Sequence, residues 1–453
     1  MKDLVIKNGT IVTPKETLRA DILIRGEKIE ALLTPGTPVA GAEVFDAEGK
    51  TLIPGCVDAH THMMDPGTTE NEEFPLGTKA AAMGGVTTVI DHHRTVPAVY
   101  SVGPLREKIE YLNTRACVDF GLKGGISPDN LAELEAMWQA GITGFKTFTC
   151  NLHGVKAMNS DVLLSSFEEV KRLGGTVLIH CEDEGILCHY ERALKKEGRT
   201  DNGSHWIWRN KAAERVATDM VIELAELSGC RVVIAHVSQG SILRKIRAAR
   251  ERGVHIYAES CPHYLYLTYE DLLERGPWVK FTPPMNTQEG RDELRRLFAA
   301  GYVTTIGSDH CPYPYEVKKA GEEDIWKAPN GIPGVETSLR VMLNNVNEGC
   351  YPLSRVVECM CENPAKIYGL YPRKGHIAPG ADADIVVLNM ETRETLKNED
   401  VTSKCHWTPY AGKTLQGVAE SVFLRGKLIV DHRKYVGSVG DGRFQPRETP
   451  MDV

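Results

Sequence analysis

Eight short apolar runs rich in β-formers recur through the middle of the chain, and helix-length stretches separate them. The runs are LIPGCVDAH, VTTVIDHH, CVDFGLKG, ITGFKTFTC, GTVLIHC, CRVVIAHV, VHIYAES and VTTIGSDH. Between them lie LGTKAAAMGG, NLAELEAMWQAG, VATDMVIELAELSG and GSILRKIRAARERG, each apolar at helical spacing. Such alternation implies repeated βα units and a parallel sheet. Eight units predict an α/β fold, the (β/α)8 TIM barrel, whose active sites gather at the C-terminal ends of the strands. A doubly wound open sheet is the competing arrangement.

The two ends of the chain have another texture. DLVIKNGTIV, ADILIRG and KIEALL at the front match ADIVVLN and ESVFLRGKLIV at the back. All are short alternating segments broken by Gly, Asp or Asn, as in antiparallel hairpins. They are predicted to pair into one small β-sandwich, 1–52 with 375–453, beside a barrel over 53–374. A chain of 453 residues has room for both. The tail HRKYVGSVGDGRFQPRETPMDV is polar and rich in Gly and Pro, and reads as a loose end or an arm against a neighbouring subunit.

MKDLVIKNGTIV reads as a strand rather than a signal peptide. No apolar stretch approaches the roughly 20 residues that span a bilayer. Twelve cysteines are scattered, and Cys150, Cys181 and Cys230 sit inside apolar runs, as reduced core thiols do. A cytoplasmic location is the expectation. A net charge of -8 with no long basic run argues against nucleic acid or an anionic membrane as partner.

The chemistry is written at the strand ends. His60 and His62 close the first run, Lys146 lies in the fourth, and His180, His236 and Asp309 end the fifth, sixth and eighth. One strand-end histidine alone is better read as structural. Four histidines and an aspartate at the same end of successive strands are not. Residues i and i+2 of a strand face one side, so His60 and His62 can bind one metal. Imidazole and carboxylate ligands suit zinc, and also manganese, iron, cobalt or nickel. Lys146 is the odd member, since a protonated amine beside metal cations is repelled and poorly solvated. The neutral amine can add carbon dioxide, giving a carbamate able to bridge two metals. The alternative is a lysine that snorkels from the rim to solvent.

Together PGCVDAHTH, DPGTTENEEFPLGTKAAAMGGVTT, GFKTFTC, IHCEDE, IAHVSQG, AESCPHYL, KFTPPMN, SDHCPY, APNGIPGVE and PGADADIVVLN resemble one family over nearly the whole chain. It is the cyclic amidohydrolases of the amidohydrolase superfamily: the dihydropyrimidinase, hydantoinase and allantoinase group, with dihydroorotase more distant. The resemblance implies two divalent metal ions, zinc first among them, acting on a ring amide of the hydantoin or dihydropyrimidine type. His60, His62 and Asp309 would hold the more buried ion, His180 and His236 the more exposed one, and N6-carboxylysine at Lys146 would bridge them. A bridging hydroxide would attack the ring carbonyl, with Asp309 as base and then acid. The segments Thr282-Pro283-Pro284 and Asn330-Gly331-Ile332-Pro333-Gly334 would grip the ring edge, although Pro and Gly make rigid turns on their own. A homo-oligomer, tetramer or dimer, is implied as well.

The chain also departs from the family. Five residues after Lys146, where hydantoinases carry a tyrosine that steadies the oxyanion, stands Asn151. Dihydroorotase uses arginines where this chain has Met64 and Asn286, and the missing cations argue against a tightly held carboxylate. DPGTTENEEF leans toward allantoinase and APNGIPGVE toward hydantoinase. His92, His93 and Arg94 match neither, and are read as pocket-lining or as a solvated rim. Three rivals remain: an allantoinase, an inactive dihydropyrimidinase-like scaffold, which the six intact positions disfavour, and a mononuclear deaminase, which Lys146 disfavours.

Overall fold

The computed structural model describes residues 3–453, so the first two residues of the N-terminal strand reading lie outside it. The eight central runs form one parallel sheet in sequence order. The strands are Cys56–Thr61, Val86–Asp91, Asp119–Gly125, Gly144–Phe148, Thr176–His180, Arg231–Ile234, Ile256–Ser260 and Thr305–Ile306. Thr61 pairs with His310, and the His62 N–H donates to the His310 carbonyl at 2.7 Å, which joins the first strand to the chain leaving the eighth. That contact closes the ring, and the open-sheet alternative falls.

Helices return the chain outside the ring, and their ends are set locally. In Ser160–Leu173 the Asn159 side chain accepts from the Val162 N–H, and Gly174 at φ 72° stops the helix. Its Leu163, Phe167 and Val170 are buried at three- and four-residue spacing against the barrel. The strands carry no polar outer face. Every residue of Thr176–His180 is buried, as a sheet covered by helices demands.

The chain ends form two further sheets. Strands Lys28–Leu33, Asp21–Arg25, Leu4–Lys7 and Glu43–Asp46 make one. In the other, Thr51–Pro54 runs parallel to Thr10–Val12 and antiparallel to Ile385–Thr395, so front and back of the chain share one sheet. Ile6, Ile22, Ile29, Leu52, Ile385 and Phe423 fill a core separate from that of the barrel. No helix among the described residues is long and apolar enough to cross a membrane. Cys150, Cys181 and Cys230 are buried free thiols.

The tail is neither loose nor free. It runs along this chain's own barrel, at the end opposite the histidines: the Phe120 N–H donates to the Arg443 carbonyl at 3.1 Å, and Asp452 accepts from the Tyr257 hydroxyl at 2.7 Å. Its polar composition misled because backbone groups, ion pairs such as Arg231 with Asp452 at 3.0 Å, and a few isolated apolar residues such as Phe444 against Phe120 make the contacts.

Terminal sheets and barrel meet around two buried cations, Lys374 and Arg425, which share Asp119. Lys374 Nζ lies 2.5 Å from Asp119 of the third barrel strand, 2.9 Å from Asp382 and 2.8 Å from Asp384. Burial opposes the charge on Lys374, but the three carboxylates outweigh it and raise its pKa. Replacing the lysine leaves Asp119 with Arg425 and Asp382 with Lys28, but takes from buried Asp384 the cation that it pairs with. We expect Lys374→Met to lower unfolding stability in urea by about 3–5 kcal/mol. A loss below about 1 kcal/mol would mean that the cluster behaves like a solvated surface network.

Candidate active site and metal centre

Closure of the barrel carries the strand-end groups to one cavity, lined by His60, His62, Lys146, His180, His236 and Asp309 together. The six come from five different strands or the residues just beyond them. His60 Nε2 and His62 Nε2 both approach the same Asp309 oxygen, at 3.1 and 3.3 Å. On the far side of the His60 ring, Nδ1 is 2.5 Å from Glu259 of the seventh strand, which fixes the ring and leaves Nε2 facing the cavity. Across the cavity, His180 Nδ1 and His236 Nε2 stand 2.9 Å apart. The other His180 nitrogen binds Glu182 at 2.7 Å, and Glu182 is held in turn by Arg209 at 2.6 Å and the Thr282 hydroxyl at 2.8 Å.

The backbone is bent to present two of these groups. His236 and Asp309 adopt φ of 38° and 50°, a region that residues other than glycine rarely occupy. Strain of this kind persists where the surroundings over-determine it, characteristically at functional sites.

Burial also sets the protonation states. It depresses His62 to about 3 and drives His236 well below its ordinary value, so both keep a free lone pair. Burial alone would raise Glu182, yet the Arg209 charge and the bonds from His180 and Thr282 hold it at about 2. Lys146 is fully buried, its Nζ has no hydrogen-bond partner, and it sits 5.0 Å from the centre of the Phe148 ring. Burial brings this amine down to about 8 although Glu259 and Asp309 pull the other way. The snorkelling alternative is therefore wrong, because the amine never reaches solvent.

The remaining expected residues separate into two groups. Thr282, Asn330 and Gly331 line the cavity, and the Asn330 side-chain oxygen is buried without a partner. Gly331 has φ 144°, and a Cβ there would collide with the Cys311 carbonyl. Buried Lys318 pins this segment by donating to the carbonyls of Pro329 at 3.0 Å and Gly331 at 2.9 Å. His92 backs the first pair, its ring 4.5 Å from His60 and 4.4 Å from His62, with neither nitrogen hydrogen-bonded. His93 packs on Tyr100 at 5.1 Å and on Phe148 at 6.2 Å, behind the cavity wall. Asn151 is exposed and tied to Glu184, its side chain at 2.6 Å and its backbone N–H at 2.7 Å, outside the cavity.

Sequence reasoning passed over Glu259, Arg209 and His153. Glu259 stands near the C-terminal end of the seventh strand, where the same strand-end logic would have found it. Arg209 follows a short helix beyond the fifth strand and carries no local signal. Among the described residues, His60 with His62 and His92, and His60 with His236 and Asp309, place ligand atoms close enough to hold an ion.

Comparison with known proteins agrees with this geometry. The model of the amidohydrolase family matches residues 51–429. The chain is 33% identical over 451 residues to the L-hydantoinase of Paenarthrobacter aurescens, across 99% of this chain and 98% of that protein. It is 34% identical over 451 residues to the allantoinase of Escherichia coli (strain K12 / DH10B), across 98% of each. The solved L-hydantoinase (dihydropyrimidinase) from Arthrobacter aurescens superposes with a TM-score of 0.97 at 33% identity, over 99% of this chain and 100% of that one. The chain belongs to the amidohydrolase family, in the branch that holds its hydantoinases, dihydropyrimidinases and allantoinases.

Proposed function

We propose that this enzyme hydrolyses a ring amide C–N bond in a cyclic ureide or imide, of the hydantoin or dihydropyrimidine type, with two divalent metal ions, zinc first among them. The observation that carries the reading is the cavity in which four strand-end histidines, an aspartate and an unpartnered lysine converge. The donor set fits such ions. His60 and His62 aim Nε2 at one Asp309 oxygen, and two imidazole nitrogens face each other at 2.9 Å between His180 and His236. Neutral imidazoles and a carboxylate gathered in this way are ligands that suit zinc and similar divalent ions.

In this reading His60, His62 and Asp309 would hold one ion and His180 with His236 the other, and Lys146, as its carbamate, would supply an anionic ligand to both. The neutral amine adds carbon dioxide and releases a proton, and an amine brought down to about 8 has a substantial neutral fraction near neutral pH. When bound, the two cations supply Lewis acidity that acidifies water and polarises a carbonyl.

The chain's own groups do the rest. The Asp309 carboxylate, held ionised by His60 and His62 against the effect of burial, accepts a proton from the attacking water. It returns that proton to the ring nitrogen, which leaves badly unless protonated. Glu259 orients His60, and Glu182 with Arg209 orients His180. The free Asn330 oxygen is placed to accept from a ring N–H.

The direct test is a panel of hydantoin, dihydrouracil, allantoin and succinimide with metal-loaded enzyme, scoring ring opening. Opening of hydantoin or dihydrouracil is expected. Opening of allantoin alone moves the assignment to allantoinase, and no opening at all removes it in favour of a scaffold role.

Asp309→Asn should keep metal content nearly unchanged while kcat falls by about 10²–10⁴-fold, since the proton carrier is gone; retention of most activity contradicts the role. Lys146→Ala should lose metal and activity together, with partial recovery when a short carboxylic acid is added. Full metal content in that variant would show that the lysine holds nothing.

A further inference from the structure

Three side chains come from loops that leave the C-terminal ends of the barrel strands, the end that holds the cavity: Arg94 beyond the second strand, His153 beyond the fourth and Tyr313 beyond the eighth. His153 lines the cavity. The Tyr313 hydroxyl lies 3.3 Å from His153 Nδ1, and the two rings stack with centroids 6.5 Å apart. Tyr313 packs with Cys311, another cavity-lining residue, and with Met64. Arg94 lies against this group. Burial keeps the proton on the Tyr313 hydroxyl, and the nearby Arg94 charge is among the influences that oppose it. Burial first, and the same charge second, keeps the His153 imidazole neutral.

The guanidinium is incompletely satisfied. Arg94 Nη1 is buried with no hydrogen-bond partner, and among the described residues no carboxylate pairs with it. The other arginine near the cavity, Arg209, is matched by Glu182 at 2.6 Å. A half-buried guanidinium whose buried Nη1 has a spare N–H, near a phenol hydroxyl and a neutral imidazole, is a set of donors with no anion of its own. A guanidinium fork matches a carboxylate in geometry as well as charge.

We propose that Arg94, with Tyr313 and His153, selects substrates that carry a carboxylate on the ring substituent. This rests on the ring-opening reading and names the substrate class within it. It also revises the expectation drawn from Met64 and Asn286. Those positions hold no cation, but the charge arrives from a different loop. His92, His93 and Arg94 then divide their work, the two imidazoles packing behind the wall and the guanidinium reaching His153 and Tyr313 with its charge.

The test compares two nearly isosteric substrates, 5-carboxymethylhydantoin and 5-carbamoylmethylhydantoin, on metal-loaded enzyme. The acid should be preferred by about 100-fold in kcat/KM, the scale of a buried charge pair. Arg94→Met should cut that ratio to below about 5, chiefly through KM, with metal content and circular dichroism intact, and Arg94→Lys should restore part of it. Should Arg94→Met fail to fold, Tyr313→Phe reads the same ratio and should lower it about tenfold. Equal use of acid and amide by the unaltered enzyme overturns the proposal, as does an unchanged ratio in Arg94→Met. If hydantoin itself opens and neither substituted ring does, acid selection is refuted while ring opening stands. If no ring of any kind opens, the ring-opening reading fails, and this proposal with it.

Discussion

A lysine amine without a hydrogen-bond partner, buried among histidines, is the constraint around which the rest of this structure is arranged. An unpaired polar group in a protein interior is costly, and a charged one far more so. Here Lys146 Nζ, His62 Nδ1 and His236 Nδ1 are all buried and unsatisfied within one cavity. A fold that merely tolerated them would scatter them. Instead closure of the sheet through Thr61 and His310 gathers them at the end of the barrel where active sites lie. The proposed carbamate would give the Lys146 nitrogen the partners it lacks here.

The groups outside the cavity hold the arrangement still. Glu259 fixes the His60 ring, and the Arg209–Glu182 pair fixes His180. Lys318 pins the glycine-containing segment that forms one wall. At the opposite end of the barrel, Lys374 and the C-terminal tail tie the terminal sheets to the strands, far from the reacting groups. Stability and chemistry therefore occupy different ends of the same strands. At the cavity end, the loops that carry Arg94, His153 and Tyr313, rather than strands, decide which substituent is accepted.

Much of this was legible in the chain because period and position carry the information. Buried parallel strands read as unbroken apolar runs such as TVLIH, and a polar residue at the end of such a run is conspicuous. Hence all eight strands and the six convergent groups were visible. What was not visible depended on contacts between distant loops. Arg209 owes its importance to Glu182, 27 residues away. Asn151, expected near the substrate, is drawn outward by Glu184. Arg94 could be singled out as unusual, but its proximity to Tyr313 requires the closed barrel. The tail was misjudged because what orders it, backbone hydrogen bonds to the barrel and single residues such as Phe444 against Phe120, carries no period in the sequence.

The central claim is that Lys146 works as a carbamate between two cations, and carbon-13 NMR of metal-loaded enzyme equilibrated with labelled carbon dioxide tests it most directly. A single carbamate resonance per chain, lost in Lys146→Met, is the result the account predicts. Fully active, metal-replete enzyme that shows no such resonance would contradict it.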